Sequence, residues 1–336
     1  MSTWHTLLAL AVRAPSPHNV QPWRVRLIDD TTAELFLQKS RTLPEEDETG
    51  SFLLLTMGLF LESLTVLAAH RGLALSYRPT HAPDWYRAEH LAQVDLEMLP
   101  FATLVLAPDP GARGAFDEAV FLRRRTSRLP YAPDPLTDAA IEQLSALARA
   151  FDQGFSVVRD PTLIERLLAW NIDAVFEDLN APGYHDEISA WFRLGDREAR
   201  VHRDGLDARC MNQSPLELWM VRHAPRVLTI PGLRRAFAAR YRRQIGPVAT
   251  LGALAGGFWK PEDAFKDGRA LIHFWVEVTR LGLSIHPFGN LVTNRPVAAR
   301  VANAIGVPDP WLVFKIGRSP EAPESYRRSV EEVLLD

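Results

Sequence analysis

The chain has 336 residues, 47% of them apolar and 24% charged, proportions that suit one large or two ordinary globular domains and set aside disordered and fibrous classes. A formal net charge of −3, with a pI near 6.4, gives no overall attraction to nucleic acid or to an anionic membrane. The single cysteine, Cys210, excludes an internal disulfide and a cysteine-rich zinc site, and fits a reducing compartment.

The first ten residues have no basic region ahead of their apolar positions and no small-residue cleavage pattern, so no secretory signal is expected and the default location is cytoplasmic. A helix is predicted from Thr3 to Arg13. A proline-containing loop then leads to a strand from Trp23 to Ile28, in which Trp23, Val25 and Leu27 alternate onto one buried face. The apolar run from Phe52 to Ala69 approaches membrane-spanning length, but Glu62, Thr56, Ser63 and Thr65 interrupt it, and a helix buried among other elements is expected instead. After an apolar strand at Ala102 to Leu106, Pro108, Pro110, Gly111 and Gly114 break the periodicity, which places a boundary between a first half, 1–115, and a second, 116–336.

The second half opens with a helix from near Thr137 to Ala150, with Pro135 ahead of it and Glu142 in its first turns. A strand at Phe155 to Val158 follows. Residues 160–256 have no counterpart in the first half; they read as an inserted helical layer carrying Trp170, Trp191 and Trp219, which either covers a pocket or enlarges the core. Beyond it come a helix from about Gly268 to Leu281 and a strand at Trp311 to Ile316.

Two of these helices match. A shift of 210 positions places Gly58 on Gly268, Leu61 on Leu271, Val66 on Val276 and Gly72 on Gly282, with a strand-like run after each closing glycine. The pattern predicts an internal duplication.

Two segments carry candidate chemistry. Pro15, Ser16, Pro17, His18 and Asn19 lie in a proline-stiffened loop suited to holding a flat polar ring, or simply to turning a helix into a strand. Arg124, Arg125, Thr126 and Arg128 combine planar guanidinium forks with a hydroxyl, a good grip for a phosphate dianion; arginine runs also form solvated faces or nucleic-acid patches. A second basic run, Arg234-Arg235 with Arg240 to Arg243, reads as an ion-paired or solvated helix face. The ten histidines show no metal-ligand spacing, so no metal is expected, and no dinucleotide, NTP or serine-hydrolase motif is present.

The stretch Pro15-Ser16-x-x-Asn19-x-Gln21-Pro22-Trp23, with Arg124-Arg125-Thr126-x-Arg128, resembles the FMN-dependent nitroreductase family, and the double length resembles its actinobacterial branch, in which two halves form a pseudo-dimer in one chain. The resemblance implies an α+β nitroreductase-like fold, internally duplicated, with a helical insertion in the second half. It implies one FMN per chain, NAD(P)H as transient electron donor, and a nitroaromatic, quinone or related small molecule as acceptor, with no side chain required as acid or base. By the same comparison the 15–19 loop faces the flavin ring, Arg124, Arg125, Thr126 and Arg128 hold its phosphate and ribityl groups, a backbone N–H among Pro287, Phe288 and Gly289 points toward N5, and Lys315 and Arg318 return to the phosphate. Neither nucleic acid nor membrane is expected as a partner, and the chain is expected to be a monomer or a homodimer. A flavin-sequestering protein and a specialised flavin oxidase or dehydrogenase are the alternatives the same resemblance leaves open.

Overall fold

A computed structural model describes residues 2–336, and the chain divides into two compact units: residues 1–123 with 257–276 and 326–336, and residues 124–256 with 277–325. The sequence halves and the structural units therefore differ. Two segments that follow the midpoint of the chain, the first part of a long helix and the C-terminal tail, fold with the N-terminal unit.

In the first unit the strands run in the order Leu334–Leu335, Trp23–Leu27, Thr32–Gln38, Met98–Pro108, Leu73–Pro79, antiparallel except for the short C-terminal strand, which lies parallel to Trp23–Leu27. The Thr3–Ala11 helix begins at Ser2, whose hydroxyl accepts from the His5 N–H. The Ser51–Ala69 helix is buried nearly all round. Its Phe60 stacks on Trp23, ring centres 4.6 Å apart.

The most apolar helix of the chain is thus a core helix, with 83% of its apolar window buried in the fold. Its one carboxylate explains itself. Glu62 accepts from Arg269 Nε at 2.6 Å and from His273 Nε2 at 2.8 Å; burial alone would raise its pKa, but these two partners hold it below the ordinary glutamate value.

The partner of this helix is its duplicate. A Cβ on Gly58 would lie 2.2 Å from the Phe265 carbonyl oxygen, and a Cβ on Gly268 would lie 2.1 Å from the Leu55 carbonyl oxygen. Both contacts obey the shift of 210. The two glycines let the Ser51–Ala69 and Pro261–Arg280 helices cross backbone to backbone about a local pseudo-two-fold axis, each making to the other the contact it receives.

In the second unit the strand order is Gly154–Val158, Leu251–Ala255, Pro310–Gly317, Ser284–Pro287, all antiparallel. This repeats the order Trp23–Leu27, Thr32–Gln38, Met98–Pro108, Leu73–Pro79. Register repeats too: Ala74 pairs Ala107, Leu75 pairs Leu106, Ser76 pairs Val105 and Tyr77 pairs Leu104, while Ser284 pairs Gly317, Ile285 pairs Ile316, His286 pairs Lys315 and Pro287 pairs Phe314. Every member of the second set is 210 residues beyond its counterpart. The duplication is therefore present in the hydrogen-bond ladder, residue for residue.

The halves diverge between their first two strands. Trp23–Leu27 passes to Thr32–Gln38 through a short turn, whereas Gly154–Val158 and Leu251–Ala255 are separated by the helices Pro161–Asp178, Pro182–Ala190, Asp196–His202, Pro215–His223 and Pro231–Ile245. This inserted layer has its own core, which includes Phe176, Leu179, Phe192, Leu218, Val221 and Leu228. A buried Arg193–Asp204 pair, with bonds of 3.0 and 2.6 Å, fixes the short connection between its middle helices.

Candidate functional site

The loop at 15–22 begins as the sequence suggests, with Ser16 extended and a single turn from Pro17 to Asn19. Its backbone is unusual. His18 (φ 46°), Asn19 (φ 57°) and Gln21 (φ 50°) all occupy the left-handed region without being glycine, at a cost of about 1–2 kcal/mol each.

The surrounding bonds hold that conformation. Ser16 O accepts from Asn19 N at 3.0 Å, Ser16 Oγ accepts from Gln21 N at 3.0 Å, and Arg41 Nη1 donates to Val20 O at 2.8 Å. His18 Nε2 contacts the Glu46 carboxylate. The C-terminal tail supplies the rest: Asn19 Nδ2 donates to Tyr326 O at 3.1 Å, Arg327 donates to Asn19 Oδ1, Arg328 N donates to Gln21 Oε1 at 2.9 Å, and Arg328 Nη1 donates to Gln21 O at 3.1 Å. Both ends of the Asn19 amide are thus engaged by the protein itself. What the loop offers a ligand is a rigid proline-edged shape more than a set of free polar side chains.

The arginine segment in the second unit behaves differently. Thr126 bridges to Ile285, and Ser127 N donates to Ile285 O at 3.1 Å, which seats residues 124–128 along the free edge of the Ser284–Pro287 strand. Arg124 is buried. Arg125 pairs with Glu324 at 3.0 Å, and Arg128 Nη1 donates to Cys210 O at 3.1 Å. Burial opposes the Arg128 charge, while Cys210, Tyr241, Asp207 and Tyr131 partly support it. Ser127, Ser319 and Ser284 form a hydroxyl chain with links of 2.9 and 3.2 Å.

Two titratable bases lie in register on the same sheet. Lys315 is fully buried; its Nζ donates to Leu129 O at 2.8 Å and Ile245 O at 2.7 Å and sits 4.1 Å from the Tyr131 ring centre. Burial first, then Arg242 and Arg128, push it down to about 7. Its ladder partner His286 is held well below the ordinary histidine value by burial, Arg128 and Lys315, and its Nδ1 is buried without a hydrogen-bond partner. Both shifts favour the neutral base, so the lasting positive charge here is that of the arginines.

Of the three backbone candidates near the flavin edge, Pro287 has no N–H and Phe288 donates to Val313 O at 2.8 Å, which leaves Gly289 as the candidate donor. Arg318 is exposed and paired with Asp134, while Lys315 points inward. Cys210 is inert, its thiol pushed up to about 12 by burial and Asp207. Among the described residues no three His, Cys, Asp or Glu side chains gather as a metal site. A cavity of about 550 Å³ in the first unit, lined in part by Leu43, Asp47, Tyr86 and Leu91, contains none of the candidate residues. Its Asp47 caps the Ser51–Ala69 helix through Phe52 N and Leu53 N and is raised to about 7, chiefly by burial.

Comparison with known proteins follows the same direction. The chain is 34% identical over 330 residues, 97% of its own length and 93% of the relative's, to a Mycobacterium tuberculosis protein named "Putative NAD(P)H nitroreductase acg". The chain belongs to the nitroreductase family. A second relative from that organism, also named as an NAD(P)H nitroreductase, is 31% identical over 189 residues, 56% of this chain and 51% of its own length. No family model matches. Among solved structures, the FMN-dependent nitroreductase NfnB of Mycobacterium smegmatis in complex with NADPH covers 60% of this chain and 86% of its own at 16% identity and a TM-score of 0.38. A nitroreductase with bound FMN from Bacteroides fragilis covers 62% and 91% at 12% identity and a TM-score of 0.34.

In this nitroreductase the fold brings Arg124, Thr126, Arg128 and Lys315 into one unit and seats the first three beside the 284–287 strand. Sequence reading passes over the residues that complete each segment. In the first unit these are Tyr326, Arg327 and Arg328; in the second they are Ser127 and His286. The pair Arg327-Arg328 directly ahead of Ser329-x-x-Glu332, a capping-box pattern that the structure realises, is the available signal for the tail.

Proposed function

We propose that this chain is an FMN-dependent oxidoreductase that passes electrons from NAD(P)H to a nitroaromatic, quinone or related acceptor. The observation that carries the proposal is the pair of guanidiniums at Arg124 and Arg128, seated on the edge of the 284–287 strand, together with the buried, unpartnered Nδ1 of His286 on that strand. The orphaned His286 Nδ1, the buried Arg124 and the half-buried Arg128 fit a phosphate dianion. When bound, FMN would supply hydride chemistry that no side chain provides. Arg124, Arg128 and the Thr126 and Ser127 hydroxyl region would hold its phosphate and ribityl end. The Gly289 N–H would offer the ring a single donor. The names of the M. tuberculosis relatives support this reading.

A second reading, a flavin store closed to NAD(P)H, has one observation in its favour. The inserted layer bears directly on the arginine segment: Arg128 donates to Cys210 O, Asn212 Nδ2 donates to Arg128 O at 3.3 Å, and Lys315 reaches Ile245 O.

An absorption spectrum followed by anaerobic addition of NADPH separates the two. A yellow protein bleached within seconds supports the reductase; one that stays yellow supports the store. Colourless protein that takes up no added FMN overturns both. The clamp itself is tested by Arg124→Ala with Arg128→Ala, for which FMN affinity should fall at least about a hundredfold if charged hydrogen bonds contribute roughly 1.5–3 kcal/mol each. Undiminished flavin content in a folded double variant would remove the assignment.

A further inference from the structure

The net charge of −3 conceals a segregation. Residues 196–245, in the inserted layer, contain eleven arginines against five carboxylates, an excess of six positive charges within a chain that is acidic overall. Many of these arginines are paired: Arg222 with Glu198, Arg234 with Asp173, Arg240 with Glu217, and Arg242 with Glu165. Arg235 and Arg243 are exposed and pair with no carboxylate among the described residues.

The same segment concentrates exposed apolar surface. Of the nine large apolar side chains exposed among the described residues, Val201, Leu216, Trp219, Val227, Ile230 and Leu233 fall between 201 and 233. Their position is not incidental. On the Pro215–His223 helix, Leu218 and Val221 turn into the layer's core while Leu216 and Trp219, three residues apart, turn out. In the turn that follows, Leu228 is buried, and Val227, Ile230 and Leu233 project around it, with Pro225 and Pro231 stiffening the backbone. The helical hairpin therefore turns one set of apolar side chains into the layer's core and exposes a second set, Leu216, Trp219, Val227, Ile230 and Leu233, in a segment that also exposes Arg235 and Arg243.

We propose that this hairpin, residues 215–243, docks the protein on an anionic lipid surface. A nucleic acid would use the arginines but would have no place for five or six projecting aliphatic and indole groups. A neutral apolar partner would gain nothing from the positive excess. An anionic bilayer uses both: its headgroups attract the arginines, and the headgroup–acyl boundary takes the tryptophan and the aliphatic tip. The attachment is peripheral, since nothing in the hairpin is long and apolar enough to span. It is independent of any cofactor.

The test is co-sedimentation of the purified full-length chain with phosphatidylcholine vesicles, with and without about 30 mol% phosphatidylglycerol. Binding should require the anionic lipid and should weaken steeply with salt. Arg235→Glu with Arg243→Glu should cut partitioning at least about tenfold, given the attraction of each surface cation to such a leaflet. Trp219→Ser with Ile230→Ser and Leu233→Ser should abolish it at low salt as well, while circular dichroism and the thermal midpoint stay unchanged, all three positions being exposed. Absence of sedimentation with anionic vesicles overturns the proposal. So does a concentration-dependent dimer that the triple substitution dissociates, because the face would then belong to a second copy.

Discussion

The two sheets are built to one register, yet their equivalent faces meet different surroundings. Ser76 and Val105 pair on the first sheet and face outward, exposed; 210 residues later His286 and Lys315 pair in the same geometry, and both are buried. The ladder is identical, so the backbone did not decide the difference. In the second unit, residues 129–131 and the end of the Pro231–Ile245 helix close over the face, and Lys315 donates its protons to that cover. The duplicated fold thus has a dry face bearing two buried bases on one copy and a wetted face on the other.

The frame common to both copies is broken most severely at the helix crossing. Valine at Gly58 or at Gly268 would place a side chain within 2.2 Å of a carbonyl oxygen that belongs to backbone and has little room to retreat. Each substitution should cost about 3 kcal/mol or more, enough to compromise folding. Because the contacts are reciprocal, the two losses should be nearly equal in denaturant unfolding. Tolerance at one position and collapse at the other would mean that the local two-fold relation does not govern packing.

Much of this frame is legible in the amino-acid sequence. The 210-residue shift, the glycines that bracket both helices and the inserted layer at 160–256 follow from pattern alone, because periodicity and helix stops are local. Three features are not local. The exchange of residues 257–276 and 326–336 into the first unit depends on pairings far along the chain, such as Val25 with Leu334. Asn19 reads as a free ligand group because its partners, Tyr326 and Arg327, lie more than three hundred residues away. Lys315 and Arg318 are both expected at the phosphate, with Arg318 the stronger candidate, but strand alternation and the cover decide that the first is buried and the second exposed.

The contrast between the wet and dry faces sharpens at Lys315. Its folded pKa, about 7, lies below the ordinary lysine value of 10.5, so between those limits the unfolded chain binds more protons than the folded one. Stability should therefore rise with pH across that window, by up to about 1.4 kcal/mol per unit, and the rise should stop above it. Lys315→Met should flatten this slope, making the variant relatively more stable near pH 7 and relatively less stable near pH 10 in thermal unfolding. Val105→Lys, the equivalent position on the exposed face, should introduce no such slope and should change stability by less than about 0.5 kcal/mol. A slope in both variants, or in neither, would dissolve the distinction between the faces.

The smallest effect separates backbone from side chain in the loop at 15–22. Asn19→Ala removes both bonds to the tail and places a β-carbon without a polar head at φ 57°, whereas Asn19→Gly removes the same bonds but relieves the backbone. If the tail anchors the loop through Asn19, hydrogen exchange should accelerate at both 18–21 and 326–328 in either variant. The glycine form should be the more stable by about 1 kcal/mol. Faster exchange in the loop alone would show that Arg328 and Gln21 hold the tail without Asn19, and that the left-handed turn is fixed by Ser16 and Arg41. Unchanged exchange in both segments would show that the strained turn needs no anchor, leaving its three left-handed residues to be explained by a ligand that the loop is shaped to receive.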